Sequence, residues 1–370
     1  MIVLKNWLYN KYFDLIFILS PPFFTLGLVY YFQDQFLAIS DMPLYAWVIL
    51  VLFIDVSHVY STIFRTYLHE IEFKENRPLY ILIPILVWIL GVFLYSIHMK
   101  VFWSVLAYFA VYHFARQQYG FLRLYSRSEE YNAVSKWVDS ILLYVSILYP
   151  IVFWHVNLPR KFNWFIEGDF IFHLPPILER ITFFFYILIF IIFLSKETYL
   201  ILKFQSINIT KILVLSGTAL SWYFGIVFFN NDFIFTITNV VAHGVPYIGL
   251  IWIYGKKEEK KNKDLKVFNA LDYKYFFKTP GVIFFLLLLL VLGYTEEGFW
   301  AALVWREHLE FFPLFSGLNE IESQTILSWV VPLLTVPQAT HYILDGFIWK
   351  LRDKKSYWNI LFFEEKEESK

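Results

Sequence analysis

Ten windows of about 20 mostly apolar residues recur along this chain, at roughly 13–33, 43–64, 79–97, 101–123, 137–155, 177–195, 211–229, 232–254, 279–295 and 325–349. A helix of that length crosses the hydrocarbon core of a bilayer. Inside lipid, only helices and closed barrels satisfy their own backbone groups. The windows therefore predict an all-α, polytopic membrane helix bundle of about ten transmembrane helices, in contact with membrane lipids on its outer faces. Composition agrees: 58% of the 370 residues are hydrophobic and 17% are charged, outside the range of soluble domains. No internal repeat, soluble domain or cleavable signal is evident, so residues 1–370 read as a single integral membrane domain.

The basic residues test this count. With the N-terminus in the cytoplasm, 25 of the 31 lysines and arginines fall in inner segments, from Lys5 and Lys11 through the cluster Lys256–Lys278 to the basic stretch beginning at Lys350. Only Lys100, Arg160, Lys161, Arg180 and Arg306 fall outside, and Arg116 lies within a span. The outer loop 296–322 carries six glutamates against one arginine. This asymmetry follows the positive-inside rule and predicts cytoplasmic N- and C-termini, with the inner membrane of a bacterium as location. Net charge is zero, which gives no argument for nucleic acid. The absence of cysteine removes disulfides, thiolate-bound haem, iron–sulfur clusters and cysteine nucleophiles.

Four windows carry polar residues that a bilayer penalises. The second reads Asp55, His58, Thr62, Arg65; the eighth Thr236, Asn239, His243, Tyr247; the tenth Gln338, His341, Asp345; and the fourth places His113, Arg116, Gln117 and Gly120 on one face. Steps of three and four keep side chains on one stripe of a helix, and each stripe holds one histidine. In the topology above all four helices run from outside to inside. Their histidines precede the first inner basic residue by 7, 10, 13 and 9 positions, a spread of about 9 Å along a helix. The third, sixth and ninth windows are nearly free of polar groups and are expected to face lipid.

Four buried imidazolium ions would repel, so His58, His113, His243 and His341 are expected to be neutral and to share a divalent metal. Iron (Fe2+), zinc (Zn2+) and a haem iron are the candidate cofactors. A ligating histidine wants an acceptor for its other ring nitrogen. Asp55, Gln117, Asn239, Gln338 and Asp345 are placed to supply one, on the same helix or to a neighbour. Arg116 is expected to pair with Asp55 or Asp345, or to hold an anionic substrate group. The remaining histidines, His69, His98, His155, His173 and His308, fall in loops or at helix ends.

The stretches "LTVPQATHYILDGFIWK" (334–350), "YHFARQQYG" (112–120) and "AHGVPY" (242–247) resemble the bacteriorhodopsin-related-protein family of membrane-embedded β-carotene 15,15′-dioxygenases. The resemblance implies oxidative chemistry with O2 on a long apolar substrate such as a carotenoid. By motif it implies His113, His243 and His341 as iron ligands, with Asp345 in support. The chain departs from that family in length, in the Gln-Ala-Thr insertion between Pro337 and His341, and in lacking two histidines four residues apart on one helix.

The leading expectation is thus a membrane metal oxygenase acting on a lipophilic small molecule. A haem-binding electron-transfer protein, a membrane-bound O-acyltransferase centred on the histidine of "VVAHGVPYIGLIW", and a transporter with a polar intramembrane path are the alternatives. The HxxxH and HxxHH clusters of membrane desaturases are absent.

Overall fold

The computed structural model describes residues 2–4, 6–40, 42–129, 133–171, 174–261, 264–267 and 271–349. Lys5, His173, Lys263 and the basic stretch from Lys350 lie outside the described residues. Each apolar window is helical: α1 (Lys11–Leu19 and Pro21–Tyr31), α2 (Leu44–Arg65), α3 (Arg77–Ile97), α4 (Met99–Tyr125), α5 (Ala133–Val156), α6 (Pro176–Phe204), α7 (Ile209–Phe228), α8 (Asp232–Lys261), α9 (Gly281–Trp305) and α10 (Gln324–Leu334 and Val336–Ile348). The only strands among the described residues are short pairings, Ile2–Leu4 parallel to Ser206–Asn208 and Lys266–Val267 antiparallel to Leu271–Asp272.

Seven of these helices (α2, α3, α5, α6, α7, α8 and α9) are long and apolar enough to cross a membrane, and the bent α1 makes an eighth if its two arms are one span. The chain is an integral membrane protein. The helices α4 and α10 differ for physical reasons. The polar stripe of α4 dilutes its apolar character, and α10 is broken at Thr335, where Pro337 in the next turn has no N–H to give the preceding helix. The 56° bend of α1 likewise falls at Ser20, before Pro21 and Pro22.

Burial sorts the helices as their polar content suggests. In α3, α6 and α9 only 22%, 17% and 22% of the apolar stretch is buried, against 72% in α8. The first three carry rows of exposed apolar side chains, whereas the histidine-bearing α8 is enclosed.

The chain divides into two compact units, residues 1–42 with 107–246, and 43–106 with 247–370. The boundary falls inside α4 and α8.

In the first unit, Lys211 of α7 is fully buried and touches three carboxylates: Glu129 at 3.0 Å, Glu197 at 2.7 Å and Asp139 at 3.4 Å. Lys196 of α6 pairs with Asp139 and Glu197. These two lysines, counted above as inner topogenic charges, are neutralised inside the fold and cross-link α5, α6 and α7. Gly225 sets the approach of α7 to α8, since a Cβ there would clash with Thr238 Oγ1 and Asn239 Nδ2.

In the second unit, an aromatic core around Phe64, Tyr273, Phe277 and Phe285 packs the end of α2 against α9 and the segment preceding it. The Arg65 guanidinium is buried, ion-paired with Glu72 and stacked on Tyr254, whose hydroxyl it bonds at 3.0 Å. A buried arginine without such partners would be prohibitively costly. The segment 296–305, expected in an outer loop, instead continues α9. Glu296 and Glu297 are helix residues, and the Glu296 carboxylate accepts from the Tyr60 hydroxyl on α2. Glutamate is a good helix former, so a short acidic step after an apolar run does not end a helix.

Candidate metal centre

Three of the four histidine helices are irregular where the histidine sits. In α2 a nine-residue π-helical segment, Val48–Val56, gives way to a single α turn carrying His58 and then to a 3₁₀ turn from Thr62 to Arg65. Such insertions cost backbone hydrogen bonding and are enriched at functional sites. In α10 the restart after Thr335 places His341 in the second turn of the new helix.

In α8 the disturbance is Pro246. A proline there leaves the carbonyl four residues back, that of Ala242, without its helical donor. The Gln118 amide of α4 supplies one at 3.3 Å, and the neighbouring Gln117 amide donates to the His243 carbonyl at 2.8 Å. Two consecutive glutamines therefore clamp the proline-disturbed turn that carries His243.

The histidines meet first in pairs. In the second unit the rings of His58 and His341 lie edge to face with centroids 5.0 Å apart. In the first unit His113 and His243 do the same, also at 5.0 Å. Phe114 stacks face to face on His243 at 3.6 Å. All four histidines are buried. The buried four-histidine group can hold a metal ion.

The orientation of His341 follows from a count of protons. With the Asp345 carboxyl ionised, the Tyr247 hydroxyl donates to its Oδ1 at 2.5 Å. Its single proton being used, the 2.9 Å contact between Thr62 Oγ1 and Tyr247 Oη is donated by Thr62. Thr62 in turn has only lone pairs left for the 2.6 Å contact with His341 Nδ1, so that nitrogen carries the proton. The hydrogen-bond chain runs from His341 Nδ1–H through Thr62 and Tyr247 to the Asp345 carboxylate, and it presents the Nε2 lone pair of His341 for a ligand bond.

The expected supporting residues are placed as follows. Asp55 Oδ1 stands 3.6 Å from His58 Nδ1 and Asp345 Oδ1 stands 3.7 Å from His341 Nδ1. Both are beyond hydrogen-bond range. The direct partner of His341 is Thr62. Gln117 holds the backbone of His243. Gln338 bonds the Tyr342 hydroxyl one turn further on. Asn239 spends its amide nitrogen on the Phe235 carbonyl at 2.9 Å and leaves its oxygen facing a cavity beside His243. Arg116 is exposed; it donates to the Tyr144 hydroxyl at 2.8 Å and stacks on Tyr119.

Sequence reasoning gave no role to Thr62 or Tyr247, although both stood on the histidine stripes, each four residues after its histidine. It missed Gln118 altogether, for which Pro246, four residues past an orphaned carbonyl, was the available signal. No protein-family model, curated protein or solved structure matches this chain.

Proposed function

We propose that this chain is a membrane-embedded oxygenase that holds iron(II) on His58, His113, His243 and His341 and oxidises a lipophilic small molecule, with a carotenoid as the leading candidate. What supports the reading is the burial of four histidines in two edge-to-face pairs, His58 with His341 and His113 with His243, each with ring centroids 5.0 Å apart. Paired buried imidazolium ions would repel strongly, whereas four neutral imidazoles offer four lone pairs to one divalent cation. The Asp55 and Asp345 carboxylates, each less than 4 Å from a histidine ring nitrogen, offset its charge.

Two arguments favour iron. Four imidazoles would close a tetrahedral zinc site and leave no reactive position, while six-coordinate iron(II) keeps positions open for O2 and substrate. A haem would need its axial nitrogens on opposite faces of a wide macrocycle, and the edge-to-face pairs His58–His341 and His113–His243, with centroids 5.0 Å apart, leave no slot for one within a pair. Addition of both oxygen atoms across a carbon–carbon double bond breaks that bond and the O–O bond and forms two carbonyls. Its electrons balance without an external reductant. The resemblance of residues 112–120, 242–247 and 334–350 to membrane carotene dioxygenases points the same way. In this reading the chain crosses a bacterial inner membrane ten times with both termini cytoplasmic. The apolar substrate enters from the bilayer, and the low-polarity interior keeps water from the metal.

Elemental analysis and a visible spectrum of detergent-purified protein test the metal, with one iron per chain and no Soret band expected. Expression in a carotenoid-producing bacterial host tests the substrate: the pigment should bleach or shift, and His341→Ala should restore it. Unchanged pigment with iron bound removes carotenoid as substrate. A metal-free protein with unchanged pigment overturns the reading.

A further inference from the structure

Beside His243, side chains of α1, α4, α7 and α8 line a small, partly open cavity with room for about one water-sized molecule, among them Pro22, Gln118, Thr218, Ser221, Asn239 and His243 together with aromatic rings. Its polar walls are unevenly satisfied. Thr218 and Ser216, on the same helix as Ser221, turn their hydroxyls back onto carbonyls of their own helix, at 2.9 Å and 2.7 Å. This is the ordinary resting place of such a group in a helix. The Ser221 hydroxyl does not do this. It is 1% exposed, and its oxygen has no hydrogen-bond partner in the protein. Across the cavity Asn239, 5% exposed, has its nitrogen committed to Phe235 while its side-chain oxygen is likewise without a partner. Native proteins rarely leave two buried polar atoms facing one void, and buried water is the usual third partner.

We infer that this cavity is a binding site for one water molecule, held by Ser221 and Asn239, which hydrogen-bonds the His243 ring and fixes the nitrogen that His243 offers to an ion. The water donates to Asn239 Oδ1 and accepts from the Ser221 hydroxyl. Its remaining capacity faces the imidazole that forms part of the wall, giving three partners, the usual number for a buried water. Ser221 and Asn239 are thereby positioning residues, acting on the metal through a water as Thr62 acts on it through His341. The second half of this inference rests on the metal reading; the water site itself does not.

The test compares Ser221→Thr with Ser221→Val in the full chain. The two replacements match in volume and differ in the hydroxyl, so packing effects cancel between them. Loaded with cobalt(II) as a spectroscopic probe, the threonine variant should bind as the wild type does. The valine variant should bind about 10–100-fold more weakly, with a shifted d–d spectrum. Identical affinity and spectrum for the two variants would overturn the positioning role. Density maps at a resolution that shows waters read the site independently of any metal. A peak within hydrogen-bond distance of Ser221 Oγ and Asn239 Oδ1 should be present in the wild type and lost in Ser221→Val, and an empty wild-type cavity would overturn the inference. If wild-type protein takes up no cobalt yet shows the peak, the metal reading fails and the water site stands.

Discussion

Thr62 Oγ1 lies 2.6 Å from Nδ1 of His341, although 279 residues separate them in the chain. With Asp345 ionised, the Thr62 proton goes to Tyr247, and this contact makes the histidine a donor at Nδ1 and an electron-pair ligand at Nε2. Replacing Thr62 by valine keeps the shape and removes the acceptor. Metal affinity should fall about 10–100-fold, as for other losses of an outer partner to a ligating histidine, and Thr62→Ser should retain it. Competition titration with a chromophoric chelator measures both. Equal affinity in Thr62→Val and wild type would show that His341 is oriented by something else.

The four histidines should behave as a unit. Alanine at any one of His58, His113, His243 or His341 should cut metal occupancy sharply while leaving membrane insertion intact. A second substitution should then cost less than the first, because residues sharing one ion are not additive. Metal content per chain, measured by mass spectrometry on size-excluded protein, reads this directly. If single variants each lost about a quarter of the metal and the losses summed, the histidines would be serving separate sites.

The chain has no cysteine, which makes topology simple to read. A cysteine at Glu310, exposed in the segment between α9 and α10, should react with an impermeant maleimide added to intact cells. One at Lys260, exposed at the end of α8, should react only after the membrane is opened. Labelling of both from the same side would exclude an inside–outside relation between these two segments, and with it the ten-span topology.

The parts of the molecule that lipid dictates were legible in sequence. Every apolar window is a helix, and α3, α6 and α9, poor in polar groups, are the least buried. The histidine stripes were legible too, because a bilayer makes each buried polar group costly and so informative. What could not be read was anything set by the meeting of two helices. Offsets along α10 nominated Asp345 for His341, yet the side-chain directions give that place to Thr62 of α2 and turn Asp345 to Tyr247. Arg116 follows His113 by three residues on the same face, yet its guanidinium donates to Tyr144 of α5, a partner that only the packing of the two helices supplies. The end of α9 was misplaced because charge was taken as a sign of loop, while Glu296 has a partner in Tyr60 that only the fold supplies.

The clamp on α8 gives the most separable energetic test. Gln118 donates to the Ala242 carbonyl that Pro246 leaves without a helical partner. Gln118→Leu fills similar space but removes the donor, and should destabilise the protein by about 1–3 kcal/mol, the cost of a buried carbonyl left unsatisfied. Pro246→Ala restores an N–H to the helix, so on that background Gln118→Leu should cost little. The signature is a coupling energy of about 1 kcal/mol or more in the double-mutant cycle, rather than the size of either single effect. It is measurable as thermal unfolding in detergent. Additive losses would mean that Gln118 merely packs against α8, and that the turn carrying His243 is held by its own helix alone.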